Sequence, residues 1–341
     1  MARAKKKSPH ERMRELISGY WLSQLVFATA RLGLADALAK GPRTPEALAP
    51  QVGARAPQLR RVLRALASQG VFKEDAKGRF ALTPLAATLR SDAPGSLRDF
   101  AHMMVSDYNW QAWSALLHGV TTDERPFDHV HGMPIFEYLA RHPDEEATFS
   151  ASMASISGTE NAAVARAYPF GKLGKLVDVG GAHGHLLATI LRRHKQLHGV
   201  LFDQPQVVAG AAKSGFLAAP ELAGRHELVG GSFFAGVPAG ADGYLMKYIL
   251  HDWTDAQCRG ILGHCRDAMA PGGRVLAVDH VIPKGNGEDW AKLMDVNMLV
   301  LPGGRERTRE EFADLFASAG LRLARVWKTA CPLHVLEAVR A

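Results

Sequence analysis

The chain has 341 residues, of which 47% are hydrophobic, and a formal net charge of +7. That length suits about two domains of usual size, and the apolar content supports a large core, which excludes wholesale disorder. No apolar stretch reaches the ~18–20 residues of a membrane span, and the N-terminus MARAKKKSPH lacks the apolar segment of a secretory signal.

Arg3, Lys5, Lys6 and Lys7 carry much of the excess charge, and residues 1–10 read as a disordered basic tail. The rest of the chain then shows no nucleic-acid-scale charge by count. Cys258, Cys265 and Cys331 form no CxxC pair. Their odd number argues against a disulfide framework and for reduced thiols, hence a cytoplasmic protein. Cys258 and Cys265 on one helix face make a poor zinc site, so no metal is expected.

Residues 11–95 read as a small helical domain. ISGYWLSQLVFATARLGLADAL has apolar residues at helical spacing and stops near Gly41-Pro42. TPEALAPQVG opens on Thr44, a good N-cap, with Pro45 at the first helical position. APQLRRVLRALASQGVF is an amphipathic helix ending at Gly70, and VFKEDAKGRFALTP a hairpin turning near Ala76–Gly78. This is the outline of a winged helix. Arg60, Arg61 and Arg64 lie on its would-be recognition helix, either as DNA contacts or as a solvated face. The same form serves as a dimerisation platform, for which Tyr20, Trp21, Leu25, Val26 and Phe27 offer an apolar surface.

Residues 96–170 are mostly helical and rich in bulky side chains. His102, Met103, Phe149 and Met153 among them are either plain core or the wall of a ligand pocket. From about 171 short apolar runs alternate with helical patterns: KLVDVG, a helix over 184–194, HGVLFD, a helix over 205–216, RHELVGG, DGYLMKYI, a helix over 254–269 and GGRVLAVDHVI. A helix over 308–319 and two strands, LRLARVW and LHVLEAVR, close the chain. Such alternation indicates an α/β domain with a parallel-rich sheet covered on both faces, spanning 171–341.

Within it Gly180, Gly181 and Gly184 form a turn after the first strand, where no Cβ keeps a ligand from the backbone. The pattern is D-x-G-x-x-x-G rather than the dinucleotide G-x-G-x-x-G, and Asp178 suits a cationic ligand better than a pyrophosphate. Asp203 ends the next strand, the place for a carboxylate that accepts ribose hydroxyls. His251 ends a later strand and faces the ligand crevice. Neutral imidazole there can take the proton of a phenol.

LVDVGGAHGHLL, GVLFDQPQVV, ELVGGSFF, YLMKYILHDWTD, CRDAMAPGGRVLAVDHVIP and DVNMLVLPGGRERTREEFADLFASAGL occur in this order. Together they resemble the S-adenosylmethionine-dependent small-molecule O-methyltransferases of the caffeic acid and hydroxyindole type and their bacterial natural-product relatives. The resemblance covers roughly residues 11–340. It implies a Rossmann-like methyltransferase domain preceded by a winged-helix homodimerisation domain. The substrates would be S-adenosylmethionine, leaving as S-adenosylhomocysteine, and a small aromatic acceptor, with neither nucleic acid nor membrane as partner.

By that resemblance Gly180, Gly181 and Gly184 line the methionine part of the donor and Asp203 its ribose. Ser232 and Phe233 flank the adenine, Lys247 lies near its polar edge, Trp253 packs on the ring and Ser157 holds the carboxylate. His251 is the base, with Asp279 and Glu306 as its two carboxylates and Asp252 a local partner. Met294, Asn297 and Met298 recur at helical spacing and present either one face to the acceptor or core. Two departures stand out: Ala182 replaces the family's third glycine at a crowded turn, and Ser232 replaces an aspartate. They keep open a non-methylating relative (hydroxylase, decarboxylase or pericyclase), beside the more distant option of a ligand-sensing winged-helix regulator.

Overall fold

The computed structural model describes residues 7–341, so the expected tail lies outside the described residues from 1 to 6. The chain folds as two compact units, one up to Trp110 together with His142–Ile156, the other Gln111–Arg141 together with Ser157–Ala341.

In the first unit a helix starts at Pro9, inside the stretch expected to be tail. The cause is local. Ser8 and Glu11 form a reciprocal capping box that satisfies two of the helix's orphan N–H groups. The periodic stretch that begins at Ile17 is not one helix: it takes in the end of this first helix, Pro9–Ile17, and two more, Gly19–Arg31 and Leu34–Ala37. Gly33, at φ +63°, supplies the left-handed residue that turns the chain. Thr44 caps the next short helix as expected. The helix Ala56–Ser68 buries Leu59, Leu63 and Leu66 against Leu34, Leu38, Leu48 and the hairpin residues Phe72 and Phe80. The hairpin pairs β1 (Phe72–Glu74) with β2 (Phe80–Leu82), completing the winged-helix outline.

The second unit is built on seven strands: β3 (Lys175–Val179), β4 (His198–Asp203), β5 (His226–Gly230), β6 (Gly243–Lys247), β7 (Arg274–Asp279), β10 (Leu321–Lys328) and β11 (His334–Arg340). Their spatial order is β10-β11-β7-β6-β3-β4-β5. The five strands β3 to β7 are parallel, and β10–β11 is an antiparallel hairpin at one edge. Both faces of β3 are covered, which is why KLVDV reads as a continuous apolar run rather than an alternation. Cys258 and Cys265 are buried in the core on one face. Two short strands missing from the sequence reading, β8 (Val281–Ile282) and β9 (Arg307–Thr308), pair in parallel beside the main sheet. Their register, Val281 opposite Arg307, carries Glu306 to the end of β7.

Candidate active site

The glycine turn sits at the carboxyl end of β3. Gly180 (φ +69°) and Gly184 (φ +76°) take the left-handed region that favours glycine, and an added side chain would make neighbouring side chains shift. A Cβ on Gly180 would lie 2.4 Å from Ile249 Cδ1, one on Gly181 2.5 Å from Leu201 Cδ1 and 2.7 Å from the Asp178 carboxyl, and one on Gly184 2.6 Å from Leu217. Ala182 also adopts positive φ, +49°, and is exposed, so its methyl points away from the crowded side of the turn. Its N–H donates to Asp203 Oδ2 at 2.8 Å, and Gln204 N–H donates to Oδ1 at 2.7 Å. Asp203 thus ties the turn to the end of β4. Burial pushes its carboxyl above the usual range, against the lowering effect of these two bonds. Asp178, on β3 with its carboxyl against Gly181 of the turn, is buried with Oδ2 unpartnered. Burial, reinforced by the Asp203 charge, pushes it up to about 7, although Lys247 and a backbone bond from Leu187 oppose the rise.

At the end of β6 the Lys247 ammonium pairs with Glu160 Oε2 at 2.8 Å and donates to Ser157 Oγ at 3.0 Å and Asn161 Oδ1 at 3.1 Å. Lys247 and Ser157, expected at opposite ends of the donor, therefore share one polar cluster. Phe233 and Trp253 stand edge to face at 6.1 Å, and Phe233 Cε1 is 3.6 Å from where a Gly180 Cβ would be. Ser232 is exposed and accepts the Phe234 N–H at 3.3 Å.

His251 lies in a 3-10 turn, Leu250–Asp252, which Tyr248 and Ile249 separate from the end of β6. Its Nδ1–H donates to Glu306 Oε1 at 2.9 Å, which leaves Nε2 as the reactive nitrogen, 3.5 Å from Asp252 Oδ1. Glu306 is held in turn by its own N–H donating to Asp295 Oδ1. Asp279 is fully buried, and neither oxygen has a hydrogen-bond partner, so it touches the base through charge alone. Burial by itself would lower the imidazole, but Asp252, the Glu306 bond and charge, and Asp279 outweigh it and push it up to about 10. Burial and the neighbouring Glu306 push Asp279 up to about 7 despite His251 and Arg307. Burial also raises Asp252 to about 6.

The turn is clamped from behind. A Cβ on Gly304 would sit 1.9 Å from the His251 carbonyl oxygen, to which Arg305 N–H donates at 2.8 Å. Arg307 is buried, and its guanidinium donates to the carbonyls of Leu250 (2.8 Å) and Trp253 (3.2 Å) and to Asp255 Oδ1 (2.7 Å). Arg307, Gly304, Glu160, Asn161 and Tyr248 were missed by the sequence reading. Arg307 and Gly304 lie in the quoted GGRERT run and Tyr248 in YLMKYILHDWTD, while Glu160 and Asn161 carry no local signal.

The expected pocket residues divide between the units. In the first, Met103 is buried, His102 stands edge to face with Phe27 at 6.3 Å, and Phe149 and Met153 are half-buried on the long helix Pro143–Ala167. In the second, the helix Trp290–Val300 carries buried Asn297 and Met298 and half-buried Met294. Asn297 Oδ1 accepts the Trp113 indole N–H at 3.1 Å, and its amide reaches Met294 Sδ at 3.7 Å.

A sequence profile described as an O-methyltransferase domain matches residues 113–322, and an O-methyltransferase dimerisation domain matches residues 14–92. The chain is 43% identical to phenazine O-methyltransferase PhzM of Lysobacter antibioticus over 95% of its own length and 94% of that protein's. It is 38% identical to 3-amino-4-hydroxybenzoate 4-O-methyltransferase of Streptomyces cremeus, covering 96% and 89% of the two chains. Among solved structures it is similar to CalO1, a methyltransferase of calicheamicin biosynthesis in its SAH-bound form, with a TM-score of 0.89, 38% identity and coverage of 98% and 100%. N-methyltransferases also occur among the relatives. Since the profile takes in the glycine turn, His251 and Glu306, and these likenesses run nearly end to end, the chain belongs to the O-methyltransferase family.

Proposed function

We propose that the protein transfers the methyl group of S-adenosylmethionine to a hydroxyl of a small aromatic acceptor, with His251 as general base, and that it works as a homodimer in the cytoplasm. The observation that carries this is the buried imidazole whose Nδ1 is fixed 2.9 Å from Glu306 and whose Nε2 is left to react, two residues beyond Ile249, which packs against Gly180 of the glycine turn. The glycine cradle fits the donor in that the unpartnered Asp178 oxygen suits the donor's ammonium group. Asp203 keeps lone pairs for ribose hydroxyls, Phe233 and Trp253 offer a wall for the adenine, and Ser157 with Lys247 would take the carboxylate.

When bound, S-adenosylmethionine supplies an electrophilic methyl on a positive sulfur and leaves as S-adenosylhomocysteine. The chain's part is to orient two reactants and to unmask the acceptor oxygen. Nε2 of His251 would take the hydroxyl proton, Glu306 holding the tautomer and stabilising the imidazolium. The upward shift of the imidazole brings its basicity nearer to that of a phenol, whose pKa is about 10, which favours the transfer. The same rise means that the imidazole sheds its own proton only above the ordinary histidine range. Turnover is therefore expected to climb with pH, its acid limb lying above about 6.5.

The test is a methyl-transfer assay with S-adenosylmethionine and a panel of hydroxyphenazines, hydroxybenzoates and naphthols, scoring methyl gain on oxygen and on nitrogen by mass spectrometry. A methylated phenol is expected, and His251→Ala should lower turnover at least about 100-fold while leaving S-adenosylhomocysteine binding near wild type. Equal turnover in the variant overturns the base. No methyl gain on any acceptor overturns the aromatic reading.

A further inference from the structure

Next to the base the backbone does something that its residue type resists. Tyr248 adopts φ +57°, in the left-handed region, where a bulky side chain is a genuine outlier and glycine the usual choice. The ring lies parallel to the His251 imidazole, 5.1 Å centroid to centroid and 20° between planes. Its hydroxyl donates to Glu160 Oε1 at 2.8 Å. The other oxygen of that carboxylate is the one paired with Lys247, whose ammonium also stands 4.8 Å from the Tyr248 ring centroid. Tyr248 N–H donates to the Val278 carbonyl at 3.1 Å, so the strained residue is pinned to β7 as well. One tyrosine therefore spans from the helix that carries Ser157 and Glu160 to the flat face of the base.

We propose that Tyr248 is a positioning residue: its ring, steered by the left-handed backbone and locked by Glu160, covers one face of the His251 imidazole, fixes the ring plane that Glu306 alone leaves free to pivot, and favours the imidazolium. This rests on His251 as the base. One hydrogen bond at Nδ1 leaves the ring some freedom to turn about its Cβ–Cγ bond, and a ring stacked on its face narrows that freedom. The electron-rich face of a phenol also stabilises a cation set against it. The charged and titratable groups around the pair are Glu160 from the long helix, Lys247 from β6, Asp252 within the turn, Asp279 at the end of β7, His280 just after it, and Glu306 before β9. None of them stacks on the imidazole as Tyr248 does.

The experiment reads the base directly. The ring nitrogens of His251 in the full-length protein are titrated by NMR, with His251→Asn to assign the signal, in wild type, Tyr248→Phe, Tyr248→Leu and Tyr248→Gly. Calorimetry with S-adenosylhomocysteine runs in parallel. Phe keeps the ring but loses the hydroxyl bond to Glu160, so its midpoint should fall between those of wild type and the leucine variant. Leu and Gly remove the ring and should lower the imidazole midpoint by about half a pH unit or more, with S-adenosylhomocysteine affinity changed less than about threefold. The glycine variant accepts φ +57° without strain and serves if the leucine variant does not fold. A wild-type midpoint in Tyr248→Gly overturns the proposal, and so does a loss of S-adenosylhomocysteine binding that equals the loss of turnover. If His251→Ala keeps full turnover, the base assignment itself has failed. An inactive His251→Ala beside an unchanged Tyr248→Gly titration overturns the stacking role alone.

Discussion

Asp178 shows how a single residue links fold stability to ligand binding. Its carboxyl is held near 7 by burial, above the value of about 3.9 that an unfolded chain gives it. Between those values the folded state binds a proton that the unfolded state does not, so stability is fully present at low pH and falls as pH rises toward 7. Asp178→Asn removes the titration. The donor-free variant should gain roughly 1–3 kcal/mol at pH 8 and nothing near pH 4, measured by thermal or urea unfolding. It should also lose S-adenosylhomocysteine affinity. A variant that binds as well as wild type would take Asp178 out of the donor site.

At the scale of elements, the reactive turn Leu250–Asp252 is too short to hold itself. It hangs between β6 and the segment 304–307, and Arg307 joins them through one buried guanidinium with donors aimed at two carbonyls and a carboxylate. Replacing it with methionine strands those carbonyls and removes one of the two cations, with His251, that balance Asp279, a cost of about 1–3 kcal/mol for each buried group left unpaired. Lysine keeps the charge but not the planar fork, and should fall between the two. The expected order of melting temperature and of turnover is wild type, Arg307→Lys, Arg307→Met. A methionine variant with wild-type turnover would show that the turn keeps its geometry without the clamp.

At the scale of the whole molecule, the helices Pro9–Ile17 and Gly19–Arg31 leave a row of large apolar side chains in water. Ile17 is 69% exposed, Leu16 and Trp21 60%, and Tyr20 53%. Such a contiguous face marks a surface for another chain, and it falls within the stretch matched by the dimerisation domain. Sedimentation should find a dimer in the wild type, and Leu16→Glu with Trp21→Glu should shift it to monomer without lowering the melting temperature of the second unit. A monomeric wild type would contradict the homodimer. Among the described residues no helix is long and apolar enough to cross a membrane.

The alternation of apolar runs and helical periods determined the parallel sheet, because a strand covered on both faces has to be apolar throughout and the turns between need glycine. The same logic made the cradle at Gly180–Gly184 legible, as well as Asp203 at a strand end and His251 after β6. The three-helix break at Ser18 and Gly33 was not legible, since apolar spacing continues across it in the same phase. Nor was the base's neighbourhood. Asp279 and Glu306 were named by likeness, yet the structure gives only Glu306 a hydrogen bond to the imidazole, and places Asp252 against the other nitrogen. Which carboxylate touches which nitrogen depends on the β8–β9 pairing and on a glycine pressed to 1.9 Å of a carbonyl as measured to its missing Cβ. Residues 279 and 306 meet only because the chain folds back, and Tyr248 meets Glu160 for the same reason. Periodicity records what each segment does with its own faces, while contacts between distant segments belong to the packing that brings them together.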